Sequence, residues 1–196
     1  DIVRDGRTLL EASPLAMTLD NGVVWGAAPR ITKASRTSVD RWIASPLYRA
    51  DSIRENYNAL TLRMKGDWSV EFRAYDDGVA YRFVSHARKP FHVVNECVEY
   101  RFPADFQTTV PYVTAGTDGN FGSQFYHSFE NIYTEAPLSQ MNPGRLAFLP
   151  LVVDAGQGVK LCLSESDLCD YPGLYLRNAD GGTALTGMFA PCPERL

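Results

Sequence analysis

The sequence lacks most of the signatures that would assign a function quickly. No apolar run approaches the ~18 residues that a helix needs to cross a bilayer, so no transmembrane span is expected. No stretch combines a basic start, an apolar middle and a small-residue end, so no secretion signal is legible. There is no Asn-x-Ser/Thr acceptor, and a glycosylated eukaryotic secreted protein gains no support. Cys-x-x-Cys, His-x-His and His-Glu-x-x-His are all missing, which removes the standard zinc spacings. Gly-x-Gly-x-x-Gly and Gly-Lys-Ser/Thr are missing too, which argues against a phosphate-cradling loop. No Gly-x-Ser-x-Gly elbow occurs, and the three histidines, His86, His92 and His127, are far apart. The net charge is −4 and the basic residues are scattered, so no nucleic-acid partner is expected.

Cysteine is sparse. Cys97, Cys162, Cys169 and Cys192 leave three readings open: free structural thiols first, one disulfide second, metal ligation last. Cys97 and Cys162 sit in strand-like apolar runs and are expected as small buried hydrophobes.

What the chain does contain is alternation. Leu60, Leu62 and Met64 alternate with polar neighbours, as do Trp68, Val70, Phe72 and Ala74 after a Lys65-Gly66-Asp67 turn. Asp76-Asp77-Gly78 then leads into Val79, Tyr81 and Phe83. Period-2 patterning across turns predicts an antiparallel meander with one wet face. Asp20-Asn21-Gly22 predicts a hairpin between residues 15–19 and 23–25. Further hairpins are expected at 148–163 and 174–189, and a strand at 92–102. Residues 27–45 read as polar and irregular, 46–56 as loop or edge, and Val110-Pro111-Tyr112-Val113 as edge or loop because of its proline. Residues 114–122 read as a Gly-rich loop, and 124–135 as a helical turn or a strand. The sum is roughly ten to fourteen short strands with little helix. No βαβ alternation is visible, so the expected class is all-β, a large antiparallel β-sandwich of two facing sheets. In 196 residues this is one domain over 1–190, with 191–196 as the start of a linker.

Candidate chemistry concentrates at one corner. The strand-like run Val159, Leu161, Leu163 delivers Glu165, and Asp167 and Asp170 follow before the rigid Tyr171-Pro172-Gly173 turn. Carboxylates after a buried strand suit a cation such as calcium, which takes six to eight oxygen ligands, or a sugar. The plainer reading is a solvated acidic turn. Trp25, Trp42 and Trp68 could each stack on a sugar ring. Trp68 alternates with core positions and is expected inside, whereas Trp42 lies in a polar stretch and is the exposed candidate. Glu130 and Glu135 are acidic neighbours, but spacing alone does not make them the paired carboxylates of glycoside hydrolysis.

Three stretches carry a resemblance: residues 58–62 (NALTL), 72–83 (FRAYDDGVAYRF) and 164–176 (SESDLCDYPGLYL). In this order they resemble the N-terminal domain of glycoside hydrolase family 97, which includes Bacteroides-type α-glucosidases and α-galactosidases. The resemblance implies a β-super-sandwich followed by a (β/α)8 barrel that carries the catalytic acid and base or nucleophile. It implies a non-catalytic role for this domain, which would support that barrel as its own C-terminal partner. It further implies that a glutamate of the domain is lent to an active-site calcium, and Glu165 matches that position. Oligosaccharide is then the implied substrate, and a periplasmic or exported setting in a bacterium the implied location. The rival readings are a free-standing carbohydrate-binding module, with Trp42 as its first contact, and a purely structural sandwich.

Overall fold

The computed structural model describes residues 1–45, 49–114 and 120–191. Cys192 and all but the first residue of the expected 191–196 linker lie outside the described residues. So do 46–48 of the expected loop and 115–119 of the Gly-rich loop. The described residues form fifteen strands: β1 (Ile2–Arg4), β2 (Arg7–Leu10), β3 (Leu15–Leu19), β4 (Val24–Trp25), β5 (Ile31–Ala44), β6 (Ser52–Met64), β7 (Trp68–Ala74), β8 (Val79–Ser85), β9 (Val93–Arg101), β10 (Gln107–Val110), β11 (Thr134–Pro137), β12 (Leu151–Gly156), β13 (Val159–Leu163), β14 (Leu174–Arg177) and β15 (Ala184–Phe189). Two short 3-10 turns, Phe121–Tyr126 and Leu138–Gln140, are the helical content among these residues. The strands make four antiparallel sheets, the all-β class that the alternation predicts. No helix among the described residues is long and apolar enough to cross a membrane. The chain divides into two compact units, residues 18–93 and residues 1–17 with 94–196.

In the first of these units, β5, β6, β7 and β8 follow one another in a sheet. The predicted meander is present in register: Leu60 faces Phe72, which faces Tyr81, and Leu62 faces Val70, which faces Phe83. Trp68 is buried at 6% exposure and lies flat on Trp25, with centroids 5.6 Å apart and planes 6° apart. Phe91 meets Trp25 edge-on at 5.4 Å. Such aromatic pairs contribute about 0.5–1.5 kcal/mol each beyond the area they bury. On the other face, Glu71 lies between Arg73 at 3.0 Å and Arg82 at 2.9 Å.

Residues 27–30 are irregular as expected, but most of the 27–45 stretch is not, which corrects the sequence reading. Residues 31–44 are one strand of 14 residues, and residues 52–56 belong to its partner rather than to a loop. The ladder runs from Ile31 opposite Met64 to Ala44 opposite Ser52. Nearly every residue of β5 is exposed, so no apolar stripe marks its period and the alternation test has nothing to detect.

In the second unit, two sheets enclose a common core. Val110, Leu151, Val153 and Leu163 come from the sheet ordered β11-β10-β12-β13, and Val98, Leu174, Leu176 and Leu185 from β9, β14 and β15. This is face-to-face packing of antiparallel sheets. Ala147 links the elements, bridging to Tyr112 on one side and to Leu176 on the other. Gln107–Val110 is an inner strand between β11 and β12; of the 110–113 stretch expected as edge or loop, Val110 ends that strand and residues 111–113 lie outside any strand, so Pro111 costs no ladder donor. The turn after β14 is held by buried Asn178, which donates to the Leu138 and Gly182 carbonyls at 2.8 Å and accepts from Gly181 N–H at 2.9 Å. A buried amide is tolerated because its hydrogen bonds are made.

The thiols are free at Cys97, Cys162 and Cys169. Cys162 is exposed and Cys97 only half-buried, so the expectation of buried hydrophobes is corrected. In β13 the buried parity belongs to Leu163, and Cys162 points the other way.

At Gly187 in β15 a Cβ would fall 2.6 Å from Val98 Cβ and 2.8 Å from Leu174 Cδ1. Gly187→Ala should therefore destabilise the chain by about 1–3 kcal/mol through overpacking. At Gly78 a methyl group would meet nothing within 4 Å, and Gly78→Ala should stay within about 0.5 kcal/mol. Urea unfolding of both variants checks this, and equal midpoints would contradict the packing of β15 on β9 and β14.

Candidate functional site

Glu165 stands two residues beyond the end of β13. Both of its carboxylate oxygens accept from one donor, the Leu174 N–H that opens β14, at 2.9 and 3.0 Å. The chain between forms a loop back onto the strand that holds it. Asp167 and Asp170 sit in that loop with φ of 62° and 54°, the left-handed region that acidic residues enter more readily than most. Both are exposed. Among the described residues no three His, Cys, Asp or Glu side chains gather closely enough to hold a metal ion. The acidic turn thus contributes backbone shape, while Glu165 is the carboxylate turned inward.

Tyr171 closes the loop. Its hydroxyl donates to Glu96 Oε2 at 2.6 Å, and its ring meets Phe189 edge-on at 5.8 Å. Glu96 lies in β9 on the same parity as core Val98 and as Tyr100. Burial pushes the Tyr100 phenol up, and the charges of Glu96 and Glu165 push it further. Burial and the Glu165 charge do the same to Tyr175. Tyr175 also belongs to a run of aromatic contacts, touching Phe125 at 5.1 Å and Phe148 at 5.2 Å. The corner therefore contains two carboxylates and three phenols beside an aromatic wall.

Glu165 is held above the ordinary glutamate range, because burial penalises the anion more than the Leu174 N–H stabilises it. Burial and the Leu174 N–H account for this shift, with no contribution from a cationic side chain among the described residues. The donor set fits one role toward a hard cation: a single carboxylate whose oxygens each retain a lone pair. It does not make a complete site within these residues.

The sequence reading located Glu165 but missed Glu96, Tyr100, Tyr171 and Tyr175 as its surroundings. The available signal was parity: a lone acid placed in step with Val98 and Tyr100 on one strand face. The other candidates do not join the corner. His86 Nε2 pairs with Ser69 Oγ at 2.8 Å, and His92 Nδ1 with Asp20 at 3.0 Å. Glu135 accepts from Thr109 Oγ1 at 2.8 Å. Trp68 is buried and Trp42 is exposed, as their neighbours in the sequence predict.

Comparison with known proteins follows the same outline. The family model described as glycosyl-hydrolase 97 N-terminal matches residues 1–193. A retaining alpha-galactosidase of Bacteroides thetaiotaomicron is 57% identical over 195 residues, covering 100% of this chain and 30% of that protein. A variant of a glycoside hydrolase family 97 enzyme from a Pseudoalteromonas species superposes with a TM-score of 0.76 at 18% identity, over 94% of this chain and 28% of that one. A beta-arabinopyranosidase superposes with a TM-score of 0.74 at 24% identity, over 96% and 31% respectively. At these identities the two solved structures speak for the fold. The chain spans about a third of the length of each relative.

A raised carboxyl pKa fixes the sign of one pH effect. The folded state holds the Glu165 proton more tightly than the unfolded chain, so stability is fully present below the ordinary glutamate range and declines as pH rises through the raised value. Glu165→Gln removes that titration and keeps an acceptor for Leu174 N–H. The stability of the parent chain relative to Glu165→Gln should fall as pH rises across this window. Urea unfolding over a pH series reads it, and a difference that is flat or rises with pH would show Glu165 is not desolvated.

Proposed function

The chain belongs to the glycosyl-hydrolase 97 N-terminal family, and from that premise we propose that it is the non-catalytic domain of a calcium-dependent retaining α-galactosidase. The observation that supports this most is the relative named a retaining alpha-galactosidase, which matches the whole chain at 57% identity yet extends over more than three times its length. Retaining glycoside hydrolysis uses two carboxyl groups about 5–5.5 Å apart, one as nucleophile and one as acid/base. In this chain Glu96 accepts from the Tyr171 hydroxyl and Glu165 from Leu174 N–H, which gives both a structural part here. Because the chain covers 30% of that relative, the reacting pair is assigned to the remainder of the protein, a C-terminal catalytic barrel.

The domain's part in the chemistry is positional. Glu165 is the residue that would hold calcium, with the other ligands coming from the barrel. A partly buried anion without a cation is electrostatically uncomfortable, and a calcium ion supplied from outside the chain relieves it. Such an ion supplies electrostatic polarisation of the reacting centre when bound. The Leu174 N–H orients the carboxylate, and the Tyr171–Glu96 bond holds the loop that carries it. A periplasmic or exported location in a bacterium suits an enzyme acting on oligosaccharides.

In the full-length protein, hydrolysis of an aryl α-galactoside with retained anomeric configuration should be observed. The 1–196 chain alone should give none. Glu165→Gln in the full-length protein should raise the calcium concentration needed for half-maximal activity by about tenfold or more, comparable with the loss of a supporting group at a metal site. Hydrolysis by the isolated chain, or calcium activation indifferent to Glu165→Gln, would refute the assignment.

A further inference from the structure

The β5–β6 ribbon has two faces with different characters. Opposed residues of an antiparallel pair share a face, and successive residues alternate between faces. Val39, Arg41 and Ile43 face Tyr57, Glu55 and Ile53 on one side, where Tyr57 is buried. Ser38, Asp40 and Trp42 face Asn58, Asn56 and Arg54 on the other. Every residue of this second set is exposed, and all but Trp42 are polar. An indole at 68% exposure stands alone on the face where alternation calls for polar groups.

The surroundings of Trp42 are ordered. Arg54, directly opposite, is drawn diagonally to Asp40, with Nε on Oδ1 at 2.8 Å and Nη2 on Oδ2 at 2.7 Å. Further along, Ser38 Oγ donates to Asn58 Oδ1 at 2.7 Å. Residues two apart on a strand lie about 6.5–7 Å apart, so a carboxylate, a guanidinium and an amide sit one step from the ring. The Asp40 and Arg54 charges cancel, which disfavours an anionic or a cationic ligand. A carboxylate and a guanidinium fixed side by side accept and donate together, as adjacent sugar hydroxyls do.

We propose that this face is a binding platform for a neutral oligosaccharide: Trp42 stacks on the apolar face of one pyranose ring, and Asp40, Arg54 and Asn56 hydrogen-bond the hydroxyls of the next. The choice of a sugar rests on the glycosidase reading, while the geometry of the face does not.

The test uses full-length protein labelled with 5-fluorotryptophan, the Trp42 resonance being assigned from Trp42→Phe. Raffinose and maltohexaose are titrated separately, and released monosaccharide is measured in the same samples. A saturable shift of the Trp42 resonance by either sugar is expected. By calorimetry the affinity should fall about tenfold in Trp42→Ala, equivalent to 1.4 kcal/mol, fall severalfold in Arg54→Ala, and recover in Trp42→Phe. No shift at tens of millimolar sugar, or unchanged affinity in Trp42→Ala, overturns the platform. So does protection of Trp42 from a soluble paramagnet before any sugar is added, which would assign the face to packing within the longer protein. Galactose release from raffinose without a Trp42 shift by either sugar defeats the platform alone; a shift without galactose release from raffinose supports the platform and defeats the α-galactosidase reading.

Discussion

The arrangement of the candidate site depends on one exchange of backbone hydrogen bonds. Ala147 N–H donates to the Leu176 carbonyl at 2.8 Å, and Leu176 N–H donates back to Ala147 at 2.9 Å. Both residues are fully buried, where an unmade backbone bond costs on the order of 1–3 kcal/mol. The exchange fixes β14 from its outer side while β15 pairs with it from the other. Leu174 lies two residues earlier in the same strand and so inherits a fixed N–H, the donor shared by both oxygens of Glu165. The carboxylate is thus placed by buried main chain, and the exposed acids around it are incidental to its position.

Two glutamates show why Glu165 stands out. Burial pushes both Glu71 and Glu165 toward protonation. At Glu71 hydrogen bonds from Arg82 and Arg73 outweigh burial, and the carboxyl is held below its ordinary range. At Glu165 a single N–H does not outweigh it, and the shift keeps the opposite sign. A carboxylate that serves structure is surrounded by its cations within the fold. One that is left desolvated breaks a local rule, and such breaks gather at functional positions.

The sequence was readable wherever one face was buried and the other wet. Residues 60–83 alternate because Leu62, Val70 and Phe83 face inward on three successive strands, and the hairpins at 148–163 and 174–189 follow the same logic. It was unreadable at residues 31–44, where both faces are largely exposed and no burial constraint shapes the composition. Pro111 was a sound signal: β10 stops at Val110, and residues 111–113 lie outside any strand. At the site, Glu165 was legible from its motif. Its partners were not, because the Tyr171–Glu96 bond joins residues 75 apart and only the register of β9 beside β15 brings them near.

The exposed ribbon raises the question of what its ion pairs accomplish. Asp40 and Arg54 are both more than half exposed, and such pairs contribute little to stability. Their effect is on register. A slip of one residue in a two-stranded ladder turns every side chain to the opposite face, which would bring Trp42 to the side of Tyr57. The fixed reach of Arg54 to Asp40, and of Ser38 to Asn58, is satisfied in one register only. On a ribbon with almost no buried stripe to set its alignment, these polar pairs are what keep a tryptophan facing solvent.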